Sequence, residues 1–172
     1  VGYSSQPFLV TFPNGGSITP SSFTSDLVIN TGNDVLPFGA VASDFDGDGK
    51  IDVGILKLNN PVSVPPGVLV YRNTGTGVQF AFTLAAELAG GYESIAAADF
   101  DGDGKPDIVM TAGSNFMIYL NSSTPGNISF QPVITLSNSY SPGRLCVADV
   151  DGDGKTDLIT NNSPSAGLAI RR

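Results

Sequence analysis

Three copies of one acidic nonapeptide carry the chemistry open to this chain: Asp44-Phe45-Asp46-Gly47-Asp48-Gly49-Lys50-Ile51-Asp52, the matching run from Asp99 to Asp107, and a third from Asp149 to Asp157. Each copy has aspartates at positions 1, 3, 5 and 9 and glycines at positions 4 and 6. Side chains at alternate positions of a tight loop can converge on one point, and glycine supplies backbone angles that other residues avoid. Carboxylates brought that close repel unless a cation sits among them. All-oxygen donor sets suit calcium, which takes six to eight oxygens at about 2.3–2.6 Å, better than zinc or copper, which favour nitrogen and sulfur. The pattern therefore predicts three calcium ions, one per copy. The expected ligands of the first are Asp44, Asp46, Asp48 and Asp52 with the carbonyl of Lys50, and water completes the shell. The second site uses Asp99, Asp101, Asp103, Asp107 and the Lys105 carbonyl, and the third uses Asp149, Asp151, Asp153, Asp157 and the Lys155 carbonyl.

Two familiar calcium loops share the opening D-x-D-x-D-G, and position 12 excludes both. An EF-hand needs a bidentate Glu there and a helix on either side, and a dockerin-type loop needs the same carboxylate. Position 12 is Ile55, Met110 and Thr160. The flanks, Gly39 to Ser43 and Asp52 to Leu56, have the short apolar character of strands. A plain D-G turn would need no fourth carboxylate and would not repeat it three times.

Of the 16 acidic residues, set against 8 basic ones, twelve lie in the loops, four per copy, so the formal charge of −8 is largely local. Three calcium ions would cancel most of it, and no basic stripe remains to grip nucleic acid. No apolar run approaches the roughly 20 residues of a membrane span, so membrane insertion is not expected. The single Cys146 cannot form an internal disulfide; its apolar setting from Leu145 to Ala148 predicts a small buried side chain. Extracellular calcium modules work at about 0.1–1 mM, whereas resting cytosol is calcium-poor, so three such sites predict a secreted or cell-surface protein. The chain begins at Val1 with no signal peptide, which fits a mature or excised segment.

The loops begin 55 and then 50 residues apart, a period in the range of four-stranded propeller blades. Aromatic-led strands are expected at Phe23 to Asn30, Phe80 to Leu88 and Phe130 to Ser137. A further strand with a trailing Asn recurs as Val68-Leu69-Val70-Tyr71-Arg72-Asn73 and Phe116-Met117-Ile118-Tyr119-Leu120-Asn121. The chain reads as all-β: four-stranded antiparallel blades, about three of them, with the calcium loop between the first and second strands of each. The whole of 1–172 forms one repeat region, with units at approximately 23–73, 80–121 and 130–172 and with 1–22 ending a preceding blade. Phe8 to Asn14 and Gly167 to Arg171 both align with the third strand of a unit, so the sequence starts and stops mid-blade. Propellers usually close with four to eight blades. The expected partners are therefore the remaining blades of a parent protein, or other copies that complete a ring.

The motifs Ala42 to Val53, Ala97 to Ile108 and Val147 to Leu158 resemble the FG-GAP and VCBS-type repeats of integrin α-subunit propellers and of many bacterial exported proteins. The resemblance covers nearly the entire chain. Phe38-Gly39 matches the leading FG; Tyr92-Glu93 and Pro142-Gly143 replace it in the later units, which places the chain nearer the VCBS-type branch. The resemblance implies a seven-bladed propeller whose calcium ions hold each blade rigid, with ligands bound on the opposite face. By position, that face holds Thr31 to Pro37, Lys57 to Gly67, Gly90 to Ser94, Ser137 to Arg144 and Asn161 to Ala166. Tyr92, Tyr140 and Arg144 are its best contact candidates, because aromatic and Arg side chains dominate binding hot spots.

These readings converge on a non-catalytic, calcium-binding propeller segment that serves as a binding or adhesion scaffold for a protein or glycan ligand. Carbohydrate binding, as a lectin-like propeller or an accessory module of a polysaccharide-active enzyme, is the alternative; Tyr92 and Tyr140 could stack on sugar rings, although the chain has no Trp. The chain has no His and no G-x-S-x-G motif, so no enzyme activity is expected. Sequons occur at Asn121, Asn127 and Asn161 and read as chance in an Asn-rich chain.

Overall fold

The computed structural model describes residues 8–10, 27–29, 31, 35–58, 65–76, 79–91, 93–163 and 167–172. Among these residues every regular element is a β-strand. Strands β1 (Phe8–Val10) and β2 (Leu27–Ile29) form a two-stranded antiparallel sheet. The first four-stranded sheet runs β3 (Leu36–Ser43), β4 (Asp52–Leu58), β5 (Gly67–Asn73) and β6 (Phe82–Ala89), in that order. The second repeats it as β7 (Ser94–Ala98), β8 (Asp107–Ala112), β9 (Asn115–Tyr119) and β10 (Ile134–Ser137). The third comprises β11 (Ser141–Ala148), β12 (Asp157–Ser163) and β13 (Gly167–Arg171). Each strand pairs antiparallel with its neighbour in sequence, so each sheet is a meander and the sheets are propeller-blade-like.

The sheets take a different phase from the repeat units. The strand that leads the unit 80–121 does not open the second sheet: β6 pairs with β5 through Gly67↔Ala89 to Asn73↔Phe82 and closes the first. In the same way β10, from the run led by Phe130, closes the second sheet on β9. A tandem repeat has no intrinsic starting point, and hydrogen bonding sets the grouping.

Apolar side chains on both faces of the inner strands stack the sheets in chain order. The central strands β4 and β8 accordingly read as near-continuous buried runs and not as alternating ones. Ile29 packs with Val53, Ile55, Leu69 and Tyr71. Between the first and second sheets lie Leu56, Val68, Val70, Ile108, Met110 and Tyr119, joined by Phe45 from the first acidic loop. Between the second and third lie Ala96, Val109, Phe116 and Leu158.

The registers Leu56↔Val68, Thr111↔Phe116 and Asn161↔Leu168 make Val68, Phe116 and Leu168 equivalent. Val68 is 0% and Phe116 1% exposed, each against the following sheet, whereas Leu168 is 76% exposed. Among the described residues nothing covers that face of the third sheet, which also carries Ile170 and Cys146. This corrects the expectation for the cysteine: Cys146 is exposed. Its equivalent in the second sheet, Ala96, is buried only because the third sheet covers it.

The same contrast sets a stability test by urea unfolding. Phe116→Ala is expected to cost about 3–5 kcal/mol, whereas Leu168→Ala is expected to cost under about 0.5 kcal/mol. Equal costs would show that the third sheet's face is covered in solution.

Candidate metal centre and loop face

The acidic loops connect the first strand of each sheet to the second: 44–51, 99–106 and 149–156. Their turn depends on the glycines at positions 4 and 6. Gly47 and Gly49 have φ of 71° and 85°, and the same pair recurs in both later loops. A Cβ at any of these six positions would meet nothing within 4 Å, so the requirement is backbone conformation and not space.

Backbone N–H groups turn inward onto the carboxylates. In the first loop Asp44 accepts from Asp48 N–H at 3.1 Å and Gly49 N–H at 2.8 Å, and Asp46 accepts from Asp48 N–H at 3.1 Å. The position-5 aspartate accepts from the lysine N–H two residues on, at 3.0, 2.9 and 2.9 Å through the three loops. That lysine's ammonium also lies 3.4, 3.7 and 3.6 Å from the same carboxylate in turn.

The position-9 aspartate plays a part the sequence did not disclose. Asp52, Asp107 and Asp157 are buried, and each accepts the N–H of position 2, from Phe45, Phe100 and Val150, at 2.9 Å. Asp52 also accepts from Asn73 N–H at 2.8 Å and Asp107 from Asn121 N–H at 2.7 Å. Asn73 ends β5 and Asn121 lies two residues beyond β9, and their side chains donate to the carbonyls of Ile51 and Pro106. Burial pushes the Asp52 and Asp107 carboxyls up, against those N–H donors, and the neighbouring loop aspartates push the same way. Burial also pushes Asp48 up, but the Lys50 N–H and charge, with side-chain hydrogen bonds from Lys50 and Arg72, hold it below the ordinary value.

In each loop three aspartates bring one oxygen apiece within 4.8 Å of one another. The groups are Asp44, Asp46 and Asp48; Asp99, Asp101 and Asp107; and Asp149, Asp151 and Asp157. Asp52 in the first loop, and Asp103 and Asp153 in the others, stand outside those groups. The donor set fits a hard divalent cation: it is all carboxylate, and a carboxylate offers about four lone-pair sites, more than the N–H donors here fill. A cation already occupies the first loop, where the Arg72 guanidinium bonds Asp46 at 2.5 Å and Asp48 at 2.8 Å. Neither Arg72 nor Arg172, which pairs with Asp151 at 3.0 Å, stood out in the sequence.

The opposite ends of the sheets carry the other candidate contacts. Arg144 is exposed and, with Phe38, Glu93, Ser141 and Asn161, lines a cleft of about 390 Å³. One Glu93 carboxylate oxygen is buried without a hydrogen-bond partner, and burial pushes this carboxyl up. Tyr140 is half-buried, with the Arg171 guanidinium 5.9 Å from its ring centre and 5.4 Å from that of Phe116. Tyr92 lies outside the described residues, as does much of 57–67 and 161–166. Of the sequons, Asn121 is buried with its amide bonded to the Phe45 and Pro106 carbonyls, so the folded chain does not offer it; Asn127 and Asn161 are exposed.

Fold and loops together define a repeat protein whose propeller-like sheets each carry an acidic turn between the first two strands. The chain belongs to the FG-GAP-like repeat family, whose profile matches residues 44–110 and 99–160. Both matches begin at the first aspartate of a loop and end inside the strand after the next loop, so the matched unit includes the loop-to-loop spacing. No curated protein matches the chain. Among the described residues no helix is long and apolar enough to cross a membrane.

The latch and the metal ligands are separable by mutation. Without metal, Asp107→Ala strips the acceptor from two backbone N–H groups and is expected to cost about 2–4 kcal/mol. Asp101→Ala, at an exposed position, is expected to change metal-free stability by less than about 0.5 kcal/mol. Denaturant unfolding in chelator checks both, and equal costs would mean that position 9 acts only toward metal.

Proposed function

We propose that this chain is a non-catalytic, calcium-stabilised propeller segment that displays loops for binding or adhesion within an exported or cell-surface protein. One observation carries the reading: three all-carboxylate clusters stand at equivalent turns of three sheets, each joined to the sheet core by a buried aspartate. Oxygen-only donors on a flexible, glycine-rich turn favour calcium over magnesium, which demands tighter octahedral geometry. Calcium at extracellular levels would fill modest-affinity sites, which supports export. The chain has no His to serve as a general base, and its clustered carboxylates are committed to the turns, which supports a scaffold over an enzyme.

Calcium binds only the folded state in this reading, so calcium at 100 times its dissociation constant adds about 2.7 kcal/mol per independent site. The melting temperature is expected to rise in calcium relative to chelator, and Asp101→Ala to narrow that gap. A melting temperature indifferent to millimolar calcium would sink the proposal.

A second reading rests on the cleft opposite the acidic loops, where the exposed Phe38 ring stands beside Glu93, Arg144 and Asn161. An apolar ring face with nearby hydrogen-bonding groups suits a sugar, whose C–H face stacks while its hydroxyls bond. A glycan array is expected to return binders that Phe38→Ala abolishes. No binder at high protein concentration would dismiss this reading and leave the calcium-stabilised scaffold untouched.

A further inference from the structure

The three acidic loops share a sequence pattern but not an electrostatic setting. Strand registers Val53↔Tyr71, Ile108↔Tyr119 and Leu158↔Arg171 place Arg72, Leu120 and Arg172 at equivalent positions, one residue beyond those partners. The two arginines each meet the position-3 aspartate of their own sheet's loop, Asp46 or Asp151. Arg72 grips the first loop through two nitrogens, at 2.5 Å to Asp46 and 2.8 Å to Asp48. Both Asp46 oxygens are engaged, since Asp48 N–H donates to Oδ1 and Gly126 N–H to the same Oδ2 that holds Arg72. The Asp46 side chain is fully buried and that of Arg72 only 24% exposed. Arg172 makes a single contact at 3.0 Å to Asp151 and is 72% exposed. The second loop has Leu120 in this place, and among the described residues only Lys105 pairs with a carboxylate there, Asp103, at 3.7 Å.

We infer that Arg72 is a built-in counter-cation that competes with calcium for the first loop, so that the loops bind in the order second, then third, then first. The inference rests on the calcium reading of the loops. A guanidinium within hydrogen-bond distance of the ligand oxygens raises the potential where a divalent ion would sit, and the effect is strongest where water is excluded. Calcium must displace Arg72 or share Asp46 and Asp48 with it, and either weakens binding. Around the exposed Arg172 solvent screens most of the same effect. Without metal, the roles invert. Arg72 neutralises the first loop and keeps it folded, whereas the second loop has no such partner and depends most on the ion. The chain is thereby graded: falling calcium empties the first loop first with little loss of structure, and empties the second last with the greatest loss.

The test is calcium titration calorimetry on the full chain, comparing the parent with Arg72→Leu, which copies the second loop, and Leu120→Arg, which copies the first. The parent is expected to show unequal classes of site. Arg72→Leu should tighten the weakest class by roughly tenfold, about 1.4 kcal/mol, and lower the melting temperature in chelator. Leu120→Arg should weaken the tightest class by a similar factor. Should Arg72→Leu fail to fold without metal, Arg72→Gln, which keeps a donor without the charge, carries the comparison. Calcium binding that is unchanged or weaker in both Arg72 variants would overturn the inference alone. Absence of any calcium heat from the parent would overturn the calcium reading and this inference with it.

Discussion

The hydrogen bond from the second loop residue to the buried carboxylate of the ninth joins local and global structure in this chain. It has the same length, 2.9 Å, in all three loops. By closing the nonapeptide into a ring it fixes the direction of the position-2 side chain. Phe45 is thereby driven between the first and second sheets, edge-on to Phe130 with ring centres 5.9 Å apart. Phe100 packs likewise toward the third sheet. Loop closure and sheet stacking are therefore one event. The carboxylate is buried to do this, which pushes Asp52 and Asp107 up, but in those two loops both oxygens accept backbone N–H donors, which keeps a buried charge tolerable.

The remaining aspartates face the opposite balance. Inward N–H groups neutralise part of their charge, and the position-7 lysines a little more, but these lysines pair across water-exposed surface where such contacts contribute little. Each loop therefore retains a negative centre that only a closer cation can satisfy. The first loop draws that cation from its own sheet, and the third does so weakly. The second has no internal solution among the described residues. Identical motifs thus acquire different chemistry from one side chain on a neighbouring strand.

That difference explains what the sequence could and could not show. The acidic loops, the strands flanking them and the all-β class were legible because nonapeptide spacing and apolar runs are local signals, and the family profile matches from loop to loop. The role of Asp107 was half legible: its spacing suggested a ligand, but its two N–H partners come from Phe100 and Asn121, and the second of these is visible only once β8 and β9 are in register. Arg72 was invisible for the same reason, since it lies 26 residues from Asp46 along the chain. Cys146 misled because an apolar neighbourhood in sequence signals burial only if another sheet arrives to cover it. Tyr140 looked like a free contact residue, but the Arg171 guanidinium over its ring depends on where β13 docks.

The first acidic loop also binds across sheets. Gly126 N–H, from the hairpin between β9 and β10, donates to Asp46 at 3.0 Å, and the Asn121 amide donates to the Phe45 carbonyl at 2.9 Å. Both donors belong to the second sheet's turn, both acceptors to the first sheet's loop. A cation seated among Asp44, Asp46 and Asp48 would therefore stiffen more than its own turn: it would fix the carboxylate on which the neighbouring sheet is hung. Since Phe45 and Phe130 meet at the same junction, hydrogen bonds and aromatic packing act on a single joint between sheets, and a bound ion would act there too. The resemblance to known repeats implied that calcium holds each blade rigid; the geometry here makes the joint between the first two sheets the part that Arg72 holds in register, and that an ion bound in its place would hold.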